Sequence, residues 1–170
     1  MSATVDTSED CASLLPKPAY FRQGAMPPAH LWRTQTIRAT ESAMKRHGIL
    51  NAELNGQLSR LGHTDMVVVV DCGMPIPRGV PVVDLALVQG IPRFEDVLDA
   101  LLQDMVFERC IIATEAKSQD AGGWLTSRFD VVDYVTHAQL KDLSASAKLI
   151  VRTGEATPYA NAALICGVAF

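Results

Sequence analysis

The stretch Arg60-Leu-Gly-His-Thr-Asp-Met-Val-Val-Val-Val-Asp-Cys-Gly-Met-Pro-Ile-Pro77 decides the fold. Its middle, Met66 to Val70, is a short apolar run rich in β-branched residues, the pattern of a buried strand. The polar triplet His63-Thr64-Asp65 precedes it and the carboxylate of Asp71 follows. Gly73, Pro75 and Pro77 then stop the strand and force irregular backbone. A strand of this length spans about 17–20 Å, so His63 and Asp71 stand at its opposite ends. A single subunit joins them in one site only if the chain curls back; a second copy alongside would do so without distortion.

Working outward, Leu50, Leu54, Leu58 and Leu61 share one helical face just upstream, with Asn51 as N-cap and Gly62 as stop. Downstream, Val80 to Val88 reads as a second extended stretch, interrupted by Pro81 and Asp84. Phe94, Val97, Leu98, Leu101, Leu102 and Met105 fit the helical template closely. Cys110 to Ala113 is the next buried strand, and Ser118 to Arg128 a short helix weakened by Gly122 and Gly123. Val131 to Val135 is a strand, and Thr136 caps a helix that carries His137, Leu140 and Leu143. Leu149 to Val151 is a strand, Thr153 to Pro158 a turn, and Ala162 to Phe170 a last apolar strand. Strands alternating with helices predict a single α/β domain.

That domain starts at Met44. Residues 1–43 hold four of the nine prolines, show no sustained periodicity and balance their charges, and read as a flexible extension. Trp32 and Ile37 are candidates to pack locally on the body. From Lys17 onward the extension contains arginine and little acid, as transit peptides do, whereas Asp6, Glu9 and Asp10 run against that reading.

The 170 residues suffice for one domain with a real core. A net charge of −4 speaks against nucleic acid as the main partner, because such proteins present a basic patch. The four cysteines, Cys11, Cys72, Cys110 and Cys166, form no C-x-x-C pair, and three lie in or beside apolar runs; buried reduced thiols are expected over disulfides or zinc. No apolar run reaches the roughly 18 residues of a membrane span. A cytoplasmic protein is the expectation.

Several residues could carry chemistry. His63 lies on a turn, and its imidazole either transfers protons near neutral pH or caps the turn. Asp71 either holds hydroxyl groups or orders the backbone of Cys72 and Gly73. His137 opens a helix, as ligand donor or as capping residue, and Lys141 lies one turn further along that face, as ligand group or solvated charge. Residues 153–161 offer the phenol of Tyr159, the amide of Asn161 and the backbone of Ala160 between them. Several donors and acceptors arranged around one space suit a polyhydroxylated ligand; the plain alternative is a tight connection between two strands. No Gly-rich phosphate cradle, nucleophile elbow or zinc-helix motif is present.

Taken together, these segments resemble the ribose pyranase and fucose mutarotase family. The resemblance runs from Met44 to Phe170 and rests on His47-Gly-Ile-Leu-Asn51, Leu61-Gly-His-Thr-Asp65, Asp71-Cys-Gly-Met-Pro-Ile-Pro77, Asp84-Leu-Ala-Leu87, Arg152-Thr-Gly-Glu155, Thr157-Pro-Tyr-Ala-Asn161 and Gly167-Val-Ala-Phe170. Each piece is weak alone; in this order they are specific. The resemblance implies His63 as the catalytic acid/base and Asp71, His137, Lys141, Tyr159, Ala160 and Asn161 as the sugar-binding set. It implies a cofactor-free, metal-free cytoplasmic isomerase acting on a monosaccharide, built as a ring-forming homo-oligomer, often two stacked pentamers, with the site between neighbouring chains. The segment Ser118–Asp130 is shorter than in the family, and the extension has no counterpart there. Pro158 before Tyr159 and Ala160 after it, with no histidine or aromatic residue in the turn after Asp71, match the ribose branch and imply pyranose–furanose interconversion of ribose. A mutarotase of the fucose type and a non-catalytic sugar-binding module on the same fold are the alternatives.

Overall fold

The computed structural model describes residues 45–170; the expectations for residues 1–43, Trp32 and Ile37 included, lie outside them. The elements follow in the order α1 (Ala52–Leu58), β1 (Met66–Val70), β2 (Val82–Asp84), α2 (Phe94–Asp104), β3 (Phe107–Ala113), a 3-10 turn (Thr114–Ser118), α3 (Asp120–Thr126), β4 (Val132–Val135), α4 (His137–Ser144), β5 (Leu149–Arg152) and β6 (Ala162–Cys166).

The six strands form one mixed sheet in the order β2-β5-β1-β6-β3-β4. Only β6 runs against its neighbours: β1 pairs with it antiparallel, as does β3, while β1–β5, β2–β5 and β3–β4 are parallel. β1 is therefore central, and Val67, Val68, Val69 and Val70 are fully buried. Its residues alternate between two layers, as the pleat demands. Val67 and Val69 pack with Leu54, Leu58, Phe94, Leu98, Leu101 and Leu125, so α1, α2 and α3 cover one face. Met66, Val68 and Val70 pack with Leu140 and Ile150, which sets α4 on the other.

The single α/β domain and its central strand are as expected, and four local readings change. α1 stops at Leu58 rather than Gly62: Arg60 N–H donates to Gln57 and Leu61 N–H to Leu58, a tightened last turn that ends the helix early. Leu50 lies outside the helix and is exposed. Of residues 80–88 only Val82–Asp84 pair as a strand, leaving Leu87 and Val88 exposed. The final strand ends at Cys166, where the last cross-strand bond is Gly167 N–H to the Val106 carbonyl, and Val168 and Phe170 are exposed. Gly122 in α3 has a reason: a Cβ there would overlap the Ala116 carbonyl, so only glycine lets α3 close onto the preceding turn, whereas a Cβ on Gly123 would meet nothing.

Candidate functional site

Because every strand but β6 runs the same way, the carboxyl ends of β1, β4 and β5 share one edge of the sheet, the place where open α/β sheets bind ligands. A cleft of about 310 Å3 opens there, lined by Asp71 to Pro75, His137, Lys141 and Glu155 to Tyr159. Three segments build it.

The first is the turn after β1. Asp71 N–H donates to Asn161 Oδ1 at 3.0 Å, and Asn161 Nδ2 donates to Asp71 Oδ2 at 2.6 Å. Asp71 Oδ1 accepts from Gly73 N–H at 2.9 Å, so the carboxylate orders this turn and also borders the cleft. The turn-ordering reading of Asp71 holds, and the carboxylate is placed where it could also meet a ligand. Asn161 is fully buried, and both ends of its amide are bonded to Asp71.

The second is the loop of residues 153–161. It is not a tight link between neighbouring strands, because β1 lies between β5 and the following pairing of β6. The loop crosses the end of β1 and is fastened to it: Thr153 donates from both N–H and Oγ1 to the Val70 carbonyl, each at 2.9 Å. A Cβ on Gly154 would overlap the Ile91 backbone, so the loop lies flat on the turn before α2 only as glycine. Glu155, missed as a functional residue in the sequence, is the anchor. Its carboxylate accepts from Phe94 N–H (3.2 Å), Ala156 N–H (3.0 Å), Thr157 N–H (3.0 Å) and Thr157 Oγ1 (2.8 Å). The Phe94 bond satisfies an orphan donor at the start of α2, where the N-cap Arg93 gives no side-chain bond. Burial pushes the Glu155 pKa up, but the hydrogen bonds from Thr157, Phe94 and Ala156 outweigh it and hold the value below 4.5. Tyr159 takes a positive φ of 63°, which turns the chain sharply and stands its ring edge-on to His137, centroids 5.2 Å apart. Ala160 is fully buried with the core and does not line the cleft.

The third is the start of α4. Thr136 caps it, as the sequence predicts, and the structure adds a full capping box with Gln139. His137 is the first helical residue, and its N–H donates to the Glu115 carboxylate at 3.0 and 3.2 Å. The ring atom Nδ1 is buried without a hydrogen-bond partner. A buried polar atom of this kind is open to a ligand. Lys141 follows one turn on and lines the same cleft.

His63 stands elsewhere. It occupies the opposite edge of the sheet, on a turn fixed by Thr64 at a φ of 68°, by Thr64 N–H donating to Cys166, and by Gly62 N–H donating to Asp65. Its Nε2 lies 3.2 Å from Glu108 Oε2, and both side chains are about half exposed, 52% and 42%. It borders a separate depression of about 400 Å3, lined by Val106, Gly167 and the terminal Val168 to Phe170. The chain thus brings together Asp71, His137, Lys141, Tyr159 and Asn161, and leaves His63 out.

The thiols divide in the same way. Cys110 and Cys166 are buried, and burial pushes their pKa values up to about 12 and about 11. Cys72 is exposed on the cleft wall, which corrects the expectation that the thiols beside apolar runs are all buried; Cys11 lies outside the described residues.

Residues 44–169 match the RbsD / FucU transport protein family. The chain belongs to this family. Within it the chain is 52% identical over 129 residues to a D-ribose pyranase of Streptomyces avermitilis and 51% identical over 129 residues to D-ribose pyranase 1 of Rubrobacter xylanophilus. Each comparison covers 75% of this chain and 100% of the relative. The structure of Bacillus subtilis RbsD complexed with D-ribose superposes with a TM-score of 0.72 at 43% identity, over 75% of this chain and 100% of that one. A fucose mutarotase from Streptococcus pneumoniae, in complex with L-fucose, shares the fold of this RbsD / FucU member at 21% identity and a TM-score of 0.62, over 70% of this chain and 94% of its own.

Proposed function

We infer that the chain is a D-ribose pyranase, an isomerase that interconverts the pyranose and furanose forms of D-ribose. The observation that carries this reading is the match, at about half identity and over the whole length of the relatives, to proteins of that name, together with the cleft that Asp71, His137, Lys141 and Tyr159 line at the carboxyl edge of the sheet.

A pyranose is a cyclic hemiacetal. Opening it takes a proton from the anomeric hydroxyl and gives one to the ring oxygen, while the bond from the anomeric carbon to the ring oxygen breaks and a carbonyl forms. Reclosing through the neighbouring hydroxyl gives the furanose. In our reading the sugar lies in the cleft. Asp71 and His137 Nδ1 take hydrogen bonds from hydroxyls, Lys141 and the Asn161 amide donate to oxygens, Tyr159 walls the ring, and Ala160 contributes backbone alone. His63 moves the protons, a role worth about 10²–10⁴ in rate. It reaches the sugar from a neighbouring copy, because within one chain it sits at the far end of β1 from Asp71. The working form is accordingly a homo-oligomeric ring, pentamers stacked in pairs, that apposes the histidine edge of one subunit to the cleft of the next.

A mixing experiment tests the reading. His63→Ala and Asp71→Asn chains are each inactive in pyranose–furanose exchange followed by saturation-transfer NMR. Co-refolded in equal amounts, they regain about one quarter of wild-type exchange, since that share of shared sites is intact in a randomly mixed ring. No recovery in a mixed oligomer would overturn the shared site, and a fully active His63→Ala chain would overturn the histidine.

A further inference from the structure

We propose that Glu108 is a positioning residue for His63, fixing which ring nitrogen carries the proton and stabilising the imidazolium formed when the sugar's hydroxyl gives its proton up. The proposal rests on His63 as the acid/base of the ring-opening reaction.

Glu108 reaches His63 because β3 is irregular at its start. β3 pairs Phe107 with Cys166 and then Arg109 with Ile165, so Glu108 is an extra residue between two consecutive partners on β6. A bulge of this kind breaks the alternation of the strand and re-aims a side chain. Glu108 and Arg109 are consecutive exposed residues, where a regular half-buried strand would bury one of them. The Gly167 backbone lies against the bulge, where a Cβ would come within 3.2 Å of Val106 Cγ1 and 3.5 Å of Glu108. The neighbouring charge is occupied elsewhere, since Arg109 is paired with Asp133 through bonds of 2.6 and 2.9 Å. Among the described residues, the contact with His63 is the one side-chain hydrogen bond that Glu108 makes.

The histidine side is equally constrained. The turn that carries it is held on both flanks, by Thr64 N–H donating to the Cys166 carbonyl and Gly62 N–H donating to the Asp65 carboxylate. With Nε2 as the proton donor to Glu108 at 3.2 Å, Nδ1 of the neutral ring is the free acceptor. In the reaction Nδ1 takes the anomeric proton. The resulting imidazolium is held by the carboxylate on its other face, and Nδ1 then delivers the proton to the ring oxygen as the anomeric bond breaks. The carboxylate takes no proton from the sugar and acts only by holding the ring, the logic of a base oriented by a third group.

The test uses the full chain in its native assembly. Glu108→Ala lowers the maximal exchange rate about 10–100-fold with little change in the ribose concentration at half-saturation. Nitrogen-15 NMR of the His63 ring shows one dominant neutral tautomer in the wild type and a mixture in Glu108→Ala. Glu108→Gln, which can still accept from Nε2, keeps the single tautomer and recovers part of the rate. A Glu108→Ala protein with wild-type rate and tautomer would refute the proposal, as would one in which only half-saturation moves. His63→Ala separates the levels: full exchange in that variant removes the base itself, whereas a dead His63→Ala beside a fully active Glu108→Ala removes Glu108 alone.

Discussion

The two ends of β1 are built differently. At the carboxyl end the turn and the loop that build the cleft are tied into the fold: Asp71 to Asn161, Thr153 to Val70, and Glu155 to the first turn of α2. At the amino end His63 is half exposed and holds a single side-chain bond, to Glu108. The carboxyl end is preorganised by the chain that carries it, and binding there costs little reordering. The amino end is an incomplete surface whose chemistry depends on what is brought against it. Substitutions at the first should therefore damage stability and binding together. Substitutions at the second should damage only the chemistry.

The largest expected effect breaks this comparison most directly. His63→Ala should lower exchange by about 10²–10⁴ while leaving the melting temperature unchanged, because the side chain is half exposed and supports no core contact. Thermal melts and ribose titration beside the NMR exchange assay would show it; a melting temperature several degrees lower would mean that His63 is structural. Asn161→Ala should do the opposite. It strips Asp71 of two partners in a fully buried position, which costs about 1–3 kcal/mol in stability. Ribose affinity should fall with stability, and a variant that keeps normal affinity would place the sugar away from Asn161.

A smaller effect follows from Glu155. Its pKa is lowered in the folded protein relative to 4.5. Its contribution to stability is thus complete above about pH 4.5 and is lost as pH falls through the folded value. Asp84 and Asp99, held low by hydrogen bonds from Arg152 and Arg128, act in the same direction. Melts from pH 7 to pH 3 should show the acid loss, and Glu155→Gln should flatten part of it. Parallel curves for the two proteins would show that Glu155 contributes no pH dependence and weaken its place as the anchor of the loop.

What the sequence made legible follows from the range of each interaction. β1, α2 and the capped start of α4 are written in local periodicity and in the Thr136 cap, and all three stand where expected. The early end of β6 was not legible, because it depends on a distant partner: β6 stops pairing where β3 begins. The early end of α1 lies in a tightened last turn that hydrophobic periodicity does not report. The gathering of Asp71, His137, Lys141, Tyr159 and Asn161 is a product of the parallel sheet, and reached the sequence reading through family motifs rather than spacing. Glu155 lay inside one of those motifs without a visible role, since its partners include an amide 61 residues away. Glu108 had no signal at all. Its position depends on a bulge against β6 and on a histidine 45 residues distant.

The smallest effect concerns residues 1–43, and it asks whether the contrast between the two edges belongs to the domain itself. The family match begins at residue 44, and the D-ribose pyranases named above are covered over their whole length by 75% of this chain. The bonds that order the cleft join residues between 70 and 161, and those that order the His63 turn join residues between 62 and 166. Neither edge needs a residue before 44 for the contacts described. We therefore expect residues 44–170 alone to fold, bind ribose and exchange its ring forms at the rate of the full chain. The comparison is sharpened by reading the two edges separately in the truncated protein, through ribose affinity for the cleft and the exchange rate for His63. If affinity holds and exchange falls, the extension acts at the histidine edge, through assembly or by covering it, and sedimentation of the truncated protein would tell these apart. If both fall with the melting temperature, the domain boundary at 44 is wrong.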